Sequence, residues 1–120
     1  MWKEIDIKIF EILDEIADQY GVQAQKWAKA AGIPNSRISD CRNLAMGKRV
    51  KRAFTVVRAA ELVQGLNQLI GEDNLAREIL KRIEKLKDRK QRLLLHCLIL
   101  KDEEEPQVEM YLKQVNKAKK

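Results

Sequence analysis

Asn35, Ser36, Arg37, Ser39, Asp40 and Asn43 crowd hydrogen-bonding side chains into one short stretch, AAGIPNSRISDCRN at residues 30–43, and Lys48, Arg49, Lys51 and Arg52 follow a few positions later. Amides, hydroxyls, a guanidinium and a carboxylate can exchange hydrogen bonds with base edges, whereas clustered lysines and arginines hold phosphates. Arg37 has the reach to meet guanine O6 and N7 or a phosphate, and Asn35 can pair with an adenine edge. Asp40 can accept from cytosine N4 but is repelled by any nearby phosphate, so it favours specificity over affinity. The loop cations would supply most of the affinity and a steep loss of binding with salt. Gln23 and Gln25, at the start of a preceding helix, can offer side-chain amides and backbone N–H groups to a further phosphate. Taken singly, Asn35, Ser36 and Ser39 read as ordinary capping residues on a wet helix face; their joint placement carries the chemistry.

These side chains need rigid elements to hold them, and the apolar spacing predicts helices throughout. A first helix over about residues 3–19 places Ile5, Ile9, Ile12, Leu13, Ile16 and Tyr20 on one stripe, widened by Ile7 and Phe10, before Gly21 stops it. A short second helix over about 24–31 buries Trp27, Ala28 and Ala31 and ends at Gly32. Pro34 has no N–H to donate and so belongs at the start of a third helix, over about 35–44, with Ile38 and Cys41 inward. The connection AMGKRVKRAF is basic, and Thr55 is an N-cap for a fourth helix reaching about residue 70. Its Val56, Val57, Ala60, Val63, Leu66 and Ile70 close the core, and Gly71 ends it. Residues 1–71 are therefore expected to form a bundle of four or five helices.

Residues 72–120 form a second helical region. Asn74 can cap a segment in which Ala76, Ile79, Ile83, Leu86, Leu93, Cys97 and Leu100 follow alternating three- and four-residue steps. Lys90 occupies one inward slot, and Asp88 with Gln91 resembles a capping box, so residues 74–100 form either one helix or two. The acidic run 102–105 and Pro106 begin a last helix to about 116, with Val108, Tyr111, Leu112 and Val115 on one face and a frayed, lysine-rich end.

The composition agrees with an all-α chain: 45% of the 120 residues are apolar, 35% charged and only 5% aromatic. The net charge of +6 is unevenly spread, from −4 over residues 1–20 to +8 over residues 21–60, and the positive part surrounds the stretch quoted above. Such asymmetry points to an anionic partner, nucleic acid first. Cys41 and Cys97 lack the pairing of a disulfide framework or zinc site and read as buried thiols in a cytoplasmic protein. The acidic first residues are wrong for a signal or transit peptide, and the apolar run LLLHCLIL at 93–100 is too short to span a bilayer. No phosphate-cradling glycine loop, nucleophile elbow or metal-spaced set of ligands is present, so neither an enzyme nor a cofactor or metal is expected. His96, the sole histidine, reads as a packed imidazole, and the run 103–105 as a helix-start charge cluster.

The segment AQKWAKAAGIPNSRISDC, with GKRVKRAF after it, resembles the helix-turn-helix of phage-repressor and Cro-like regulators over roughly the first 70 residues. Ala28 stands where the two helices must approach, Gly32 where the chain turns, and Ile33, Ile38 and Cys41 where the second helix packs. The resemblance implies that the positions of Asn35, Ser36 and Asp40 read bases and that Asn43 and the loop cations grip phosphates. Two departures stand out: Leu44, Ala45 and Met46 occupy positions where the family often turns at once with glycine, and Cys41 replaces a larger aliphatic. The expected function is that of a sequence-specific, double-stranded DNA-binding repressor. Leu93, Leu94, Leu95, Leu98, Ile99 and Leu100 put apolar groups on more than one helix face, so either these helices fold back onto the bundle or they bury that surface in a homodimer. Dimerisation through Leu93, Leu94, Cys97, Leu98, Leu100 and Tyr111 is the expectation, because two subunits can read two half-sites. The alternatives are an autoregulatory antitoxin that holds a small protein partner and an adaptor that never touches DNA.

Overall fold

The isoleucines of the first helix, together with Phe10 and Leu13, leave one side of it nearly free of charge, and that side is the floor on which the other elements pack. The structure is a computed structural model and describes residues 4–88. Its helices are α1 (Lys8–Gln19), α2 (Ala24–Ala31), α3 (Asn35–Ala45), α4 (Val56–Ile70) and α5 (Glu72–Arg82), followed by a 3₁₀ turn at Ile83–Lys85. Among the described residues there is no strand, only an isolated antiparallel bridge between Glu4 and Thr55. None of the described helices is long and apolar enough to cross a membrane. The fold is all-α, as the sequence predicts.

Ile9, Phe10, Ile12, Leu13, Ile16 and Ala17 of α1 are buried against Trp27 and Ala28 of α2, Ile38 and Cys41 of α3, and Val56, Ala59, Leu62, Val63 and Leu66 of α4. The aromatic centre is compact: Phe10 stacks on Trp27 with ring centroids 5.8 Å apart and meets Phe54 edge-on at 6.1 Å. Thr55 caps α4 as expected, its Oγ1 accepting the Arg58 N–H at 3.3 Å.

Two expected features differ and a third, open in the sequence, is decided, each for a local reason. First, α1 starts at Lys8, whereas the sequence suggests a start near residue 3: the Asp6 carboxylate accepts the Lys8 N–H at 2.8 Å, and the Ile5 N–H donates to the Phe54 carbonyl at 2.9 Å. Residues 4–7 therefore tie the loop before α4 to the rest. Second, Asn74 does not begin the fifth helix. Gly71, at φ +93°, joins α4 to α5 alone, and the Asn74 amide donates back to the Ile70 carbonyl at 2.7 Å, capping α4 from one turn inside α5. Third, the helical run that starts there ends at Arg82 and tightens into the 3₁₀ turn, so no single helix spans residues 74–100. The inward stripe of α5 is Leu75, Glu78 and Ile79, with Ala76 only half-buried.

The core does not stop at Gly71. Leu75, Ile79 and Leu86 are buried with the residues of α1 to α4, and α5 lies against both α1 and α4. The positions expected to form a dimer, Leu93, Leu94, Cys97, Leu98, Leu100 and Tyr111, lie outside the described residues, as do His96 and the capping pair partner Gln91.

Glu78 is the one buried charged side chain among the described residues, 4% exposed, and three groups make its burial tolerable. Arg82 Nη1 donates to its Oε1 at 2.7 Å, Tyr20 Oη donates to its Oε2 at 3.2 Å, and Lys81 Nζ stands at 3.7 Å. Arg82 also reaches α1, with Nε to Glu15 Oε1 at 3.0 Å and a hydrogen bond to Gln19. Arg82 holds the carboxyls of Glu78 and Glu15 below their ordinary value of 4.5, while burial and the neighbouring Glu78 push the Tyr20 phenol up. A carboxyl with a lowered folded pKa contributes stability that is complete above its unfolded value and is lost as the pH falls through the folded one. The melting midpoint is therefore expected to fall on acidification below pH 4.5, and Glu78→Gln to flatten that acid limb while lowering the midpoint at neutral pH. Thermal melts followed by circular dichroism across the acid range check both.

Candidate nucleic-acid interface

Helix α2 can end abruptly because its C-cap, Gly32, sits at φ +71°, ψ +30°, a left-handed conformation that costs glycine little and other residues more. The Ile33 N–H donates across this turn to the Ala28 carbonyl at 3.0 Å, which fixes how α3 leaves α2. Pro34 then supplies an extended N-cap at φ −64°, and its carbonyl accepts the Arg37 N–H at 3.0 Å. Ala28, Ile33, Ile38 and Cys41 are all buried, so the four small or apolar positions that the sequence places behind the turn are behind it. On the far side of α2, a Cβ at Gly65 of α4 would come within 2.9 Å of the Ala31 backbone nitrogen. Residue 65 is glycine because α2 and α4 touch backbone to backbone there.

The outward surface of α3 has three parts. Asn35, Ser36 and Ser39 are exposed in a row along its front, with Asn43 half-buried at the end of the row. On one edge, Arg42, Ala45 and Met46 join Glu11, Asp14, Glu15 and Asp18 of α1 around a cleft of about 790 Å³. Arg42 is held there by Asp14, Nη2 to Oδ1 at 2.9 Å. On the other edge, Arg37, Asp40 and Cys41 face Arg52, Thr55 and Arg58 across a cavity of about 320 Å³. The row of amide and hydroxyl groups thus runs between an acidic margin and a basic one.

Arg37 is not in that row. Its side chain is half-buried towards α4, and its Nε is buried without a hydrogen-bond partner among the described residues. Asp40 is likewise half-buried on the basic edge. Gln23 is the N-cap of α2 and makes no side-chain capping bond; Gln25 lies in the first turn, and both are exposed. After α3 the chain turns at Gly47, with the Lys48 N–H donating to the Asn43 carbonyl at 2.9 Å. Leu44 and Ala45 remain helical, which carries the loop one turn farther from the front of α3 than an immediate glycine stop. Lys48, Arg49, Lys51 and Arg52 are exposed on that loop.

Arg58 lines the same cavity, although no motif in the sequence singles it out. It pairs with Glu61 at 2.9 Å, and burial pushes the Glu61 carboxyl up against the opposing pull of Arg58 and Arg37. The signal for it was present, since a residue three positions after an N-cap lies in the first turn of its helix and faces whatever that end meets.

Burial pushes the Cys41 thiol up to about 11, with Asp40 and Asp14 adding to the shift and Arg58 and Arg37 opposing it. At neutral pH it is a packing group and not a nucleophile. Native-state labelling of Cys41 by iodoacetamide is expected to run slower than in urea by about a hundredfold from thiolate depletion alone. Peptide mass spectrometry, which separates Cys41 from Cys97, measures this. Among the described residues no cluster of histidine, cysteine and carboxylate side chains could hold a metal ion.

No family model, no curated protein and no solved structure matches this chain.

Proposed function

We propose that the chain is a sequence-reading, double-stranded DNA-binding regulator of the phage-repressor-like kind, acting as a repressor, with α3 in the major groove. The observation that carries this reading is the exposed row Asn35, Ser36 and Ser39 on a helix whose opposite side is locked by Ala28, Ile33, Ile38 and Cys41. A short helix with polar hydrogen-bonding groups in front and a rigid turn behind is what groove reading requires. The electrostatics support one approach direction: the acidic margin of α1 repels phosphates, and Lys48, Arg49, Lys51 and Arg52 attract them. Asn35, Ser36 and Ser39 meet base edges; Asp40, half-buried, reaches a base only at the margin of the contact. Gln23, Gln25 and Asn43 hold backbone phosphates beside the loop cations. A homodimer formed through residues beyond 88 reads two half-sites, and light scattering on the full chain tests that part separately.

Fluorescence anisotropy on the full chain with a random duplex and with a duplex selected from a random pool tests the reading. Each phosphate contact contributes about 0.9 to the slope of log affinity against log salt, so Lys48→Ala with Lys51→Ala is expected to flatten that slope by about 2. The double variant weakens both duplexes alike. Asn35→Ala, in contrast, is expected to lose about 1–3 kcal/mol at one base position and leave the random duplex unaffected. Absence of salt-sensitive duplex binding by the intact chain overturns the reading and leaves the adaptor role.

A further inference from the structure

We propose that the cavity between α3 and α4 is a binding site for a single phosphoryl group, held by Arg37, Arg52 and Arg58 at the N-terminus of α4. Three guanidinium-bearing side chains line one space of about 320 Å³, a size that accepts a small ligand. Their neutralisation is incomplete. Arg58 spends one nitrogen on Glu61, and Arg37 has a buried Nε with no partner among the described residues. A guanidinium carries five donors in a fixed fork and is never deprotonated, and Arg37 lines the cavity while keeping one of those donors unpaired among the described residues. Phosphoryl oxygens suit such a fork, since two can be engaged at once, and a phosphoryl dianion offsets more of three guanidinium charges than a single carboxylate does.

The backbone adds to the same charge. Helix α4 is 15 residues long, and the cavity opens beside its first turn, where Thr55 is the N-cap and the helix carries its partial positive charge. Arg37 and Arg58 both oppose the rise of the thiol pKa of Cys41 in the cavity wall. The Asp40 carboxylate in the wall works against an anion and limits the affinity. That opposition gives the site a signature with a definite sign.

The phosphoryl group has two sources with the same chemistry: the terminal phosphate of a free small molecule, or a phosphodiester of a duplex docked on α3. The first arm of the test uses the protein alone, so it does not depend on DNA binding. Inorganic phosphate is titrated into the full chain at constant ionic strength, with chloride as the control, while the Arg37 Nε–Hε resonance is followed by NMR. The expected result is a saturable shift in the millimolar range with phosphate and none with chloride. Arg58→Gln is expected to weaken it about tenfold, and Asp40→Asn to tighten it severalfold. A gain of binding on removing a carboxylate cannot come from a damaged fold.

The second arm adds duplex DNA. If phosphate and duplex compete and Arg37→Gln weakens the duplex, the occupant is a backbone phosphodiester; if both bind together, it is a free phosphorylated ligand. An Arg37 resonance that ignores phosphate, in a chain whose duplex binding is unchanged by Arg37→Gln and Arg58→Gln, overturns the site whatever the fate of the DNA-binding reading.

Discussion

Trp27→Ala is expected to cost about 3–5 kcal/mol, the range for removing a large aromatic from a closed core. Trp27 is fully buried, and it fastens α2 from two directions: its ring stacks on Phe10 of α1, and its Nε1 donates to the Leu62 carbonyl of α4 at 2.9 Å. Truncation leaves a cavity between three helices, and relaxation there requires moving the helix that precedes the turn into α3. Trp27→Phe keeps most of the stacking and loses the N–H, so it is expected to cost about 1–2 kcal/mol, from one hydrogen bond and a smaller void. Urea denaturation followed by circular dichroism measures both as shifts in midpoint at constant slope. Equal losses for the two variants would show that the hydrogen bond and not the packing secures α2.

The second large effect is at Gly65. In an exposed helix, glycine to alanine gains about 1 kcal/mol in helix propensity. Here the added Cβ lies 2.9 Å from Ala31 N and 3.0 Å from Ala31 Cβ, and the first of these is backbone that cannot swing away. Gly65→Ala is therefore expected to destabilise despite the propensity gain, and Gly65→Val to cost on the order of 3 kcal/mol through overpacking. Because the clash falls on α2, which leads into α3, the proposed duplex binding should weaken at temperatures where the chain is still folded. Differential scanning calorimetry gives the stability, and anisotropy on the same samples gives the affinity. A stabilising Gly65→Ala would mean that α2 and α4 are not in backbone contact.

The elements that position α3 were legible because small, conformationally special residues punctuate them. Gly32, Pro34, Thr55 and Gly71 each act through their own backbone or nearest neighbours, so α2 and α4 run from Ala24 to Ala31 and from Val56 to Ile70, close to expectation. The buried positions behind the turn followed from helical spacing alone. What the sequence concealed depends on partners far along the chain. The Ile5 amide could not be assigned to a helix or a bridge without knowing that Phe54 lies beside it. Asn74 has a side-chain amide able to serve either helix, and the backbone at Gly71 decides in favour of α4. Glu78 reads as a surface residue until Arg82, Tyr20 and Lys81 are seen around it. Among the arginines, the sequence places Arg37 with the outward hydrogen-bonding groups of α3, yet packing against α4 turns it to the basic edge, while Asp14 takes Arg42 to the acidic one. The exposed polar row of α3 was legible, then, and the fate of each charged neighbour was not.

The burial of Leu75, Ile79 and Leu86 among residues of α1 bears on how the chain comes off the ribosome. A nascent chain that has delivered only as far as Gly71 holds the complete α3 but leaves the apolar side of α1 without its last cover, so the exposed stripe must wait for the next stretch to be translated. Pausing synthesis shortly after that point should make the polypeptide recruit chaperones, and release beyond Leu86 should free it.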